Sequence, residues 1–186
     1  MPFGSLWLPV LVSAVVVFVA SSILHMALKY HKTDYRPLPN EEGVREVLGK
    51  GDPAPGVYMT PRCDDMKQMN EPAMIAKFEK GPVALVTVLP KGRPNMGKHL
   101  GLWFGFCVLV SFTSAYVARH TLVPGAAGML VMQITGTVAF AAYALAQMSD
   151  SIWKGQPWST TAKFVFDGAV YSVLTGLIFC LMWPSQ

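Results

Sequence analysis

The chain has little charge and little cysteine, and each shortage narrows what it can be. Only 14% of its 186 residues are charged while 52% are hydrophobic, against roughly 25% charged in soluble domains. A water-soluble surface is hard to build from that composition. The three cysteines, Cys63, Cys107 and Cys180, show no CxxC and no paired spacing, so they point to neither a disulfide framework nor a thiolate metal site. Cys107 and Cys180 lie in apolar stretches and read as small packing residues. The net charge of +4 is modest and its basic residues alternate with acids, so the basic stripe of a nucleic-acid binder is missing. The chain has no phosphate-binding glycine loop, no GxSxG and no HExxH. No internal repeat relates its halves, which argues against an inverted-repeat transporter.

What the chain does have is four long apolar stretches, Leu6–Leu28, Leu100–Ala118, Pro124–Met148 and Phe164–Trp183. Each reaches the roughly 20 residues that carry a helix across a hydrocarbon layer of about 30 Å. Their one charge is Asp167. The expected fold is an all-α membrane protein, with four transmembrane helices in a bundle and a small α+β cytoplasmic cap between the first two. The segments are then 1–28 (first transmembrane helix), 29–98 (cap) and 99–186 (helices two to four).

Orientation follows from the basic residues. Lys29, Lys32 and Arg36 follow the first stretch, Lys91, Arg93 and Lys98 precede the second, and Lys154 and Lys163 separate the third from the fourth; Arg119 alone falls on the other side. The positive-inside rule places residues 29–98 and 149–163 in the cytoplasm and both termini outside. The first stretch lacks a preceding basic residue and exceeds a signal-peptide core, so it reads as retained. Trp7 and Trp183 fall at the outer interface, and Trp103, Trp153 and Trp158 at the inner one.

Residues 29–98 form too small a segment for a large core, so they are expected to lean on the bilayer or a partner. Asn40 before Glu41 and Glu42 reads as a helix N-cap, with Gly49 and Gly51 at the exit. Val57–Thr60 reads as extended. Asn70 and Pro72 open a second helix to about Lys80, and the β-branched run Val83–Leu89 reads as a strand.

Within the apolar stretches two patterns stand out. Gly168, Ser172, Gly176 and Cys180 recur every four residues, a small-residue stripe of the kind that lets helices approach closely in lipid. It is expected to pack within the chain in preference to forming a homodimer or partner surface. The ionisable groups form the second pattern. His25, His99, Asp150 and Asp167 would each sit near the cytoplasmic end of a different helix. Charges within spans are costly and point inward to partners. A His25–Asp167 pair is expected at the centre of this polar cluster, with Tyr171 one turn deeper able to join it. Its expected role is a structural latch. Two histidines and a carboxylate are also a possible metal set, either His25 or His99 could ligate haem, and a His/Asp proton relay is conceivable, but no spacing is diagnostic. No metal, cofactor or catalytic residue is therefore assigned. His25 and His31 are six residues apart, which puts them on different faces of a continuous helix. That argues against a shared ligand site unless the helix ends between them. Cys63, Met66, Met69 and Met74 read as packing residues, not as a soft-metal site, and the two tryptophans of SIWKGQPW as an interfacial anchor.

HMALKYHKTDYRPLP after the first stretch, NMGKHLGLWF entering the second and DSIWKGQPWS before the fourth resemble small bacterial four-span inner-membrane proteins of unknown function. The resemblance covers most of the chain. It implies a bacterial inner-membrane setting and transfers no activity. The functional expectation is a non-catalytic accessory, assembly or scaffold subunit of a membrane complex, in contact with lipid and with partner subunits or a second copy. The alternative is a protein that handles a small solute, an ion or a lipid through the His/Asp cluster.

Overall fold

A computed structural model describes residues 3–185 of the chain. The segment boundaries at residues 1 and 186 lie outside the described residues. The helices are α1 (Trp7–Ser22), α2 (Glu41–Gly51), α3 (Pro72–Lys80), α4 (Met96–Thr121), α5 (Gly128–Tyr143), α6 (Met148–Lys154) and α7 (Trp158–Met182), with strands β1 (Gly56–Thr60) and β2 (Ala84–Val88). Four helical stretches, Gly4–Ala27, Met96–Thr121, Gly128–Lys154 and Trp158–Met182, are long and apolar enough to cross a membrane. This is the make-up of a multi-pass membrane protein. Their outward residues agree with it: Leu8, Leu11, Val15 and Val19 on α1, and Val173, Leu177 and Leu181 on α7, are exposed, as a lipid-facing surface requires.

The chain divides into two compact units, one of residues up to Tyr35 together with those from Asn95 onward, the other Arg36–Pro94. In the first, one core cluster joins Ala14 and Val17 of α1, Cys107 and Val110 of α4, Ala139 and Tyr143 of α5, and Tyr171 of α7. Polar residues tie the same helices together. Buried Ser111 donates to Ser13 at 3.2 Å, the kind of interhelical bond that counts where water is excluded.

The small-residue stripe of α7 packs on α5. A Cβ at Gly168 would lie 2.8 Å from the backbone nitrogen of Ala144, and one at Gly176 2.9 Å from the carbonyl of Met132. Between them the Ser172 carbonyl would meet a Cβ at Gly136 at 3.3 Å. The two backbones therefore approach along the whole stripe, and the glycines are there because no side chain fits. Gly101 and Gly105 on α4 differ, since a Cβ at either meets nothing within 4 Å.

In the second unit β1 and β2 pair antiparallel, from Gly56 opposite Val88 to Thr60 opposite Ala84. Pro72 opens α3, and Gly81 at φ 59° stops it, a backbone conformation that glycine tolerates best. Asn40 precedes α2 as expected but does not cap it. It sits in the left-handed region at φ 51° and makes no side-chain cap bond; its amide lies over Gly43 instead. No residue between 36 and 94 is buried, so this unit has no interior of its own.

Gly168→Ala should cost about 1–3 kcal/mol by overpacking against backbone that cannot move aside. Gly105→Ala should leave stability unchanged or raise it slightly. Thermal unfolding of both in detergent checks this, and equal melting temperatures would contradict the close approach.

Candidate functional site

The site begins with a change of helix type. After α1 the chain widens into a π-helical turn, Ile23–Ala27, closed by Leu28 N–H donating to the Ile23 carbonyl at 3.1 Å. Such turns are rare and recur at functional positions. Leu28 is then extended (φ −87°, ψ 122°), and a 3-10 turn, Lys29–Thr33, follows. The helix thus ends between His25 and His31, the one condition under which their six-residue spacing does not separate them. Their rings stack, with centroids 4.2 Å apart and planes within 9°.

Asp167, on α7, is the centre. Its side chain is 2% exposed. Tyr30 donates its hydroxyl to Oδ1, and His31 Nε2 lies 2.8 Å from Oδ2. The other nitrogen of His31, Nδ1, is 2.6 Å from Oδ2 of Asp34. Both ring nitrogens face carboxylate oxygens that can only accept, so for both contacts to be hydrogen bonds the ring donates twice and is cationic. Lys163 spends its three protons on the same turn: on the Tyr30 carbonyl at 2.7 Å, Thr33 Oγ1 at 2.7 Å and Asp34 Oδ1 at 2.6 Å. Two carboxylates, one imidazolium and one ammonium leave the network neutral, which is how a buried charge becomes tolerable.

Two pKa directions follow. Burial raises that of the Asp34 carboxyl, but the hydrogen bonds and charges of Lys163 and His31 outweigh it and hold the group below its ordinary range. Burial, then the bond to Asp167, pushes the Tyr30 hydroxyl well above the usual phenol range. Tyr30 therefore stays protonated and remains a donor.

Several expected members are placed differently. His25 Nε2 is 3.7 Å from Asp167 Oδ2, beyond a hydrogen bond, because His31 occupies that oxygen. His25 Nδ1 is 3.1 Å from the Ser21 carbonyl. A carbonyl accepts only, so Nδ1 is the donor in this contact. Tyr171 does not bond Asp167, since Tyr30 takes that place, and the Tyr171 hydroxyl has no hydrogen-bond partner among the described residues. His99 is exposed, as is all of α4 from 96 to 102, and does not join the group of His25, His31 and Asp167. Asp150 pairs with Lys154 at 2.7 Å along α6, because the third span breaks after Tyr143 and restarts at Met148. Four helices therefore do not each contribute a group; the turn after α1 supplies most of the network to α7. Tyr30 and Asp34 were missed, although HKTD places His31 and Asp34 at the spacing at which helical-turn neighbours meet.

Beside this network lies a cavity of about 410 Å³ lined by residues of α1, the π turn, α4, α5 and α7. Trp103, Phe106, Tyr143 and Tyr171 form its aromatic wall, and His25, Asp167 and Ser21 its polar end. The Trp103 indole donates to Ser21 Oγ at 2.8 Å, which fixes the wall. Tyr143 and Tyr171 stack edge to face at 5.5 Å, and the buried Tyr143 hydroxyl has the Cys107 thiol beside it. One ring nitrogen each of His25 and His31 and an Asp167 oxygen lie within 4.8 Å of one another, the donor types of a divalent transition-metal site.

Comparison with protein-family models, with curated proteins and with solved structures finds no match to this chain.

Asp34→Asn should destabilise the protein, with a pH signature. A carboxyl held low in the folded state contributes stability above its unfolded pKa of about 3.9, and that contribution fades as pH falls through the lower folded value. The wild-type advantage over the variant should therefore be constant from pH 5 to 7 and shrink below about pH 4. A gap in melting temperature that instead narrows between pH 7 and 5 would contradict the network.

Proposed function

We propose that this protein is a non-catalytic membrane binding protein, which takes a small amphiphilic molecule from the lipid phase into the cavity beside His25 and Asp167. The cavity carries the reading. It has the volume of a ligand site, an aromatic wall for an apolar body, and hydrogen-bonding groups gathered at one end for a polar head. A structural latch alone would be served by close packing at that point, and the helices do not close there. The four spans are read as a bundle in a bacterial inner membrane, with residues 29–98 and 149–163 cytoplasmic and both termini outside. The distribution of lysine and arginine supports that orientation.

A second reading, an accessory or assembly subunit of a membrane complex, draws on a separate observation. The Arg36–Pro94 unit buries none of its residues, and a two-stranded sheet is marginal in water without something to cover it. A partner subunit or the bilayer surface would supply that cover.

Protein extracted in mild detergent should carry a stoichiometric small molecule, visible by native mass spectrometry and identified after solvent extraction. Leu100→Trp, which fills the cavity from a half-exposed position on α4, should lose it while keeping its circular dichroism spectrum. Wild-type protein without a bound molecule, or retention by Leu100→Trp, would sink the binding reading. Reporter fusions within residues 40–90 should report the cytoplasm.

A further inference from the structure

We propose that His25, His31 and Asp167 form a binding site for a divalent first-row transition ion of the zinc type. This stands apart from what occupies the cavity. Two imidazoles and one carboxylate, with no sulfur, suit such an ion; calcium and magnesium prefer all-oxygen sets. The arrangement around the three donors is the stronger argument. Metal-bound histidines use their second nitrogen to donate to a carbonyl or carboxylate, which fixes the tautomer and aims the lone pair. Here both do: His25 Nδ1 is held by the Ser21 carbonyl at 3.1 Å and His31 Nδ1 by Asp34 at 2.6 Å. Both Nε2 atoms are thereby assigned to the side where Asp167 Oδ2 lies, at 3.7 Å and 2.8 Å. Tyr30 holds the other Asp167 oxygen, so the carboxylate is oriented to offer Oδ2.

The contact between His31 Nε2 and Asp167 Oδ2 requires a cation between two lone pairs, and a proton or a metal ion meets that requirement. When the ion binds, its bonds to the three donors form and the Nε2 proton of His31 leaves to solvent, while the hydrogen bond from His25 Nδ1 to the Ser21 carbonyl lengthens as that ring adjusts. The ring lone pairs lie in the ring planes, so two parallel rings cannot aim at one point. Binding therefore turns the His25 ring out of its stack. Its side chain is 41% exposed against 11% for His31, which gives it the freedom to turn. The π turn explains why His25 is presented at all: the extra residue in that turn advances it relative to a regular α-helix, and the break at Leu28 folds His31 back beneath it. Since His25 and Asp167 also line the cavity, the open coordination positions face its interior.

The test uses full-length, tag-free protein in detergent, stripped with a chelator and dialysed. Added Co²⁺ should give visible ligand-field absorption that saturates at one equivalent per chain, and Zn²⁺ should abolish it by competition. His25→Gln and His31→Gln should each weaken Zn²⁺ binding, measured by calorimetry, by about 100-fold or more. Asp34→Asn, one step removed from the ion, should weaken it by about 10–100-fold. Asp167→Asn removes a buried charge and is compared only if its circular dichroism matches the wild type; His25→Gln, at the exposed edge, carries the test otherwise. Absence of saturable Co²⁺ absorption in the wild type would overturn the proposal, as would Zn²⁺ affinity unchanged in a folded His25→Gln variant.

Discussion

One buried carboxylate sets the terms for this molecule. Asp167 is the one charge in the apolar stretch Phe164–Trp183, and left unpaired there it would be expensive enough to deny the helix its place. The chain answers with a short stretch after α1 that delivers Tyr30, His31 and Asp34 together, and with Lys163, one turn before Asp167 on α7, to balance the second carboxylate. This explains why α1 does not simply end. Its last turn widens, breaks at Leu28 and closes again as a 3-10 turn, whose carbonyl and hydroxyl oxygens Lys163 then collects. The local irregularity and the buried charge are two sides of one arrangement.

The rest of the helical unit divides between close approach and deliberate distance. Along Gly168, Ser172 and Gly176 the backbones of α5 and α7 touch, since no side chain stands between them. Near Trp103, Phe106, Tyr143 and Tyr171 the side chains are large, and rings meeting edge to face leave a space that smaller residues would have let collapse. Gly168 meets Ala144 at the level of Asp167, so the α5–α7 seam stays tight there, and the space opens on the side where Tyr143 and Tyr171 face Trp103 and Phe106 of α4. The polar network forms one boundary of that space, so whatever enters it meets His25 and Asp167.

The Arg36–Pro94 unit rests on different physics. Its helices and strands form because local signals agree: Pro72 at a first turn, Gly81 at a positive φ, β-branched residues in β2. Its ion pair between Lys91 and Asp52 at 2.8 Å is fully exposed, and such pairs add little stability.

Much of this was written in the order of the residues. Apolar runs fixed where four long helices would lie, because in a membrane-sized hydrocarbon layer length and hydrophobicity decide almost alone. Turn and β-branched residues located the helices and strands of the small unit to within a residue or two, since those preferences are local. The every-fourth-residue glycine and serine pattern on α7 likewise announced a close helix contact, and Asp167 announced the need for a partner. Which partner was beyond the sequence. A regular helix through residue 31 separates His25 from His31, and only the π turn and the break at Leu28, forced by the need to bring donors down to Asp167, stack them. His99 and Asp150 shared the right depth on paper, but depth along a helix says nothing about which residues another helix covers. Pairing, exposure and the cavity depend on how several helices meet at once, and that is decided by packing in three dimensions.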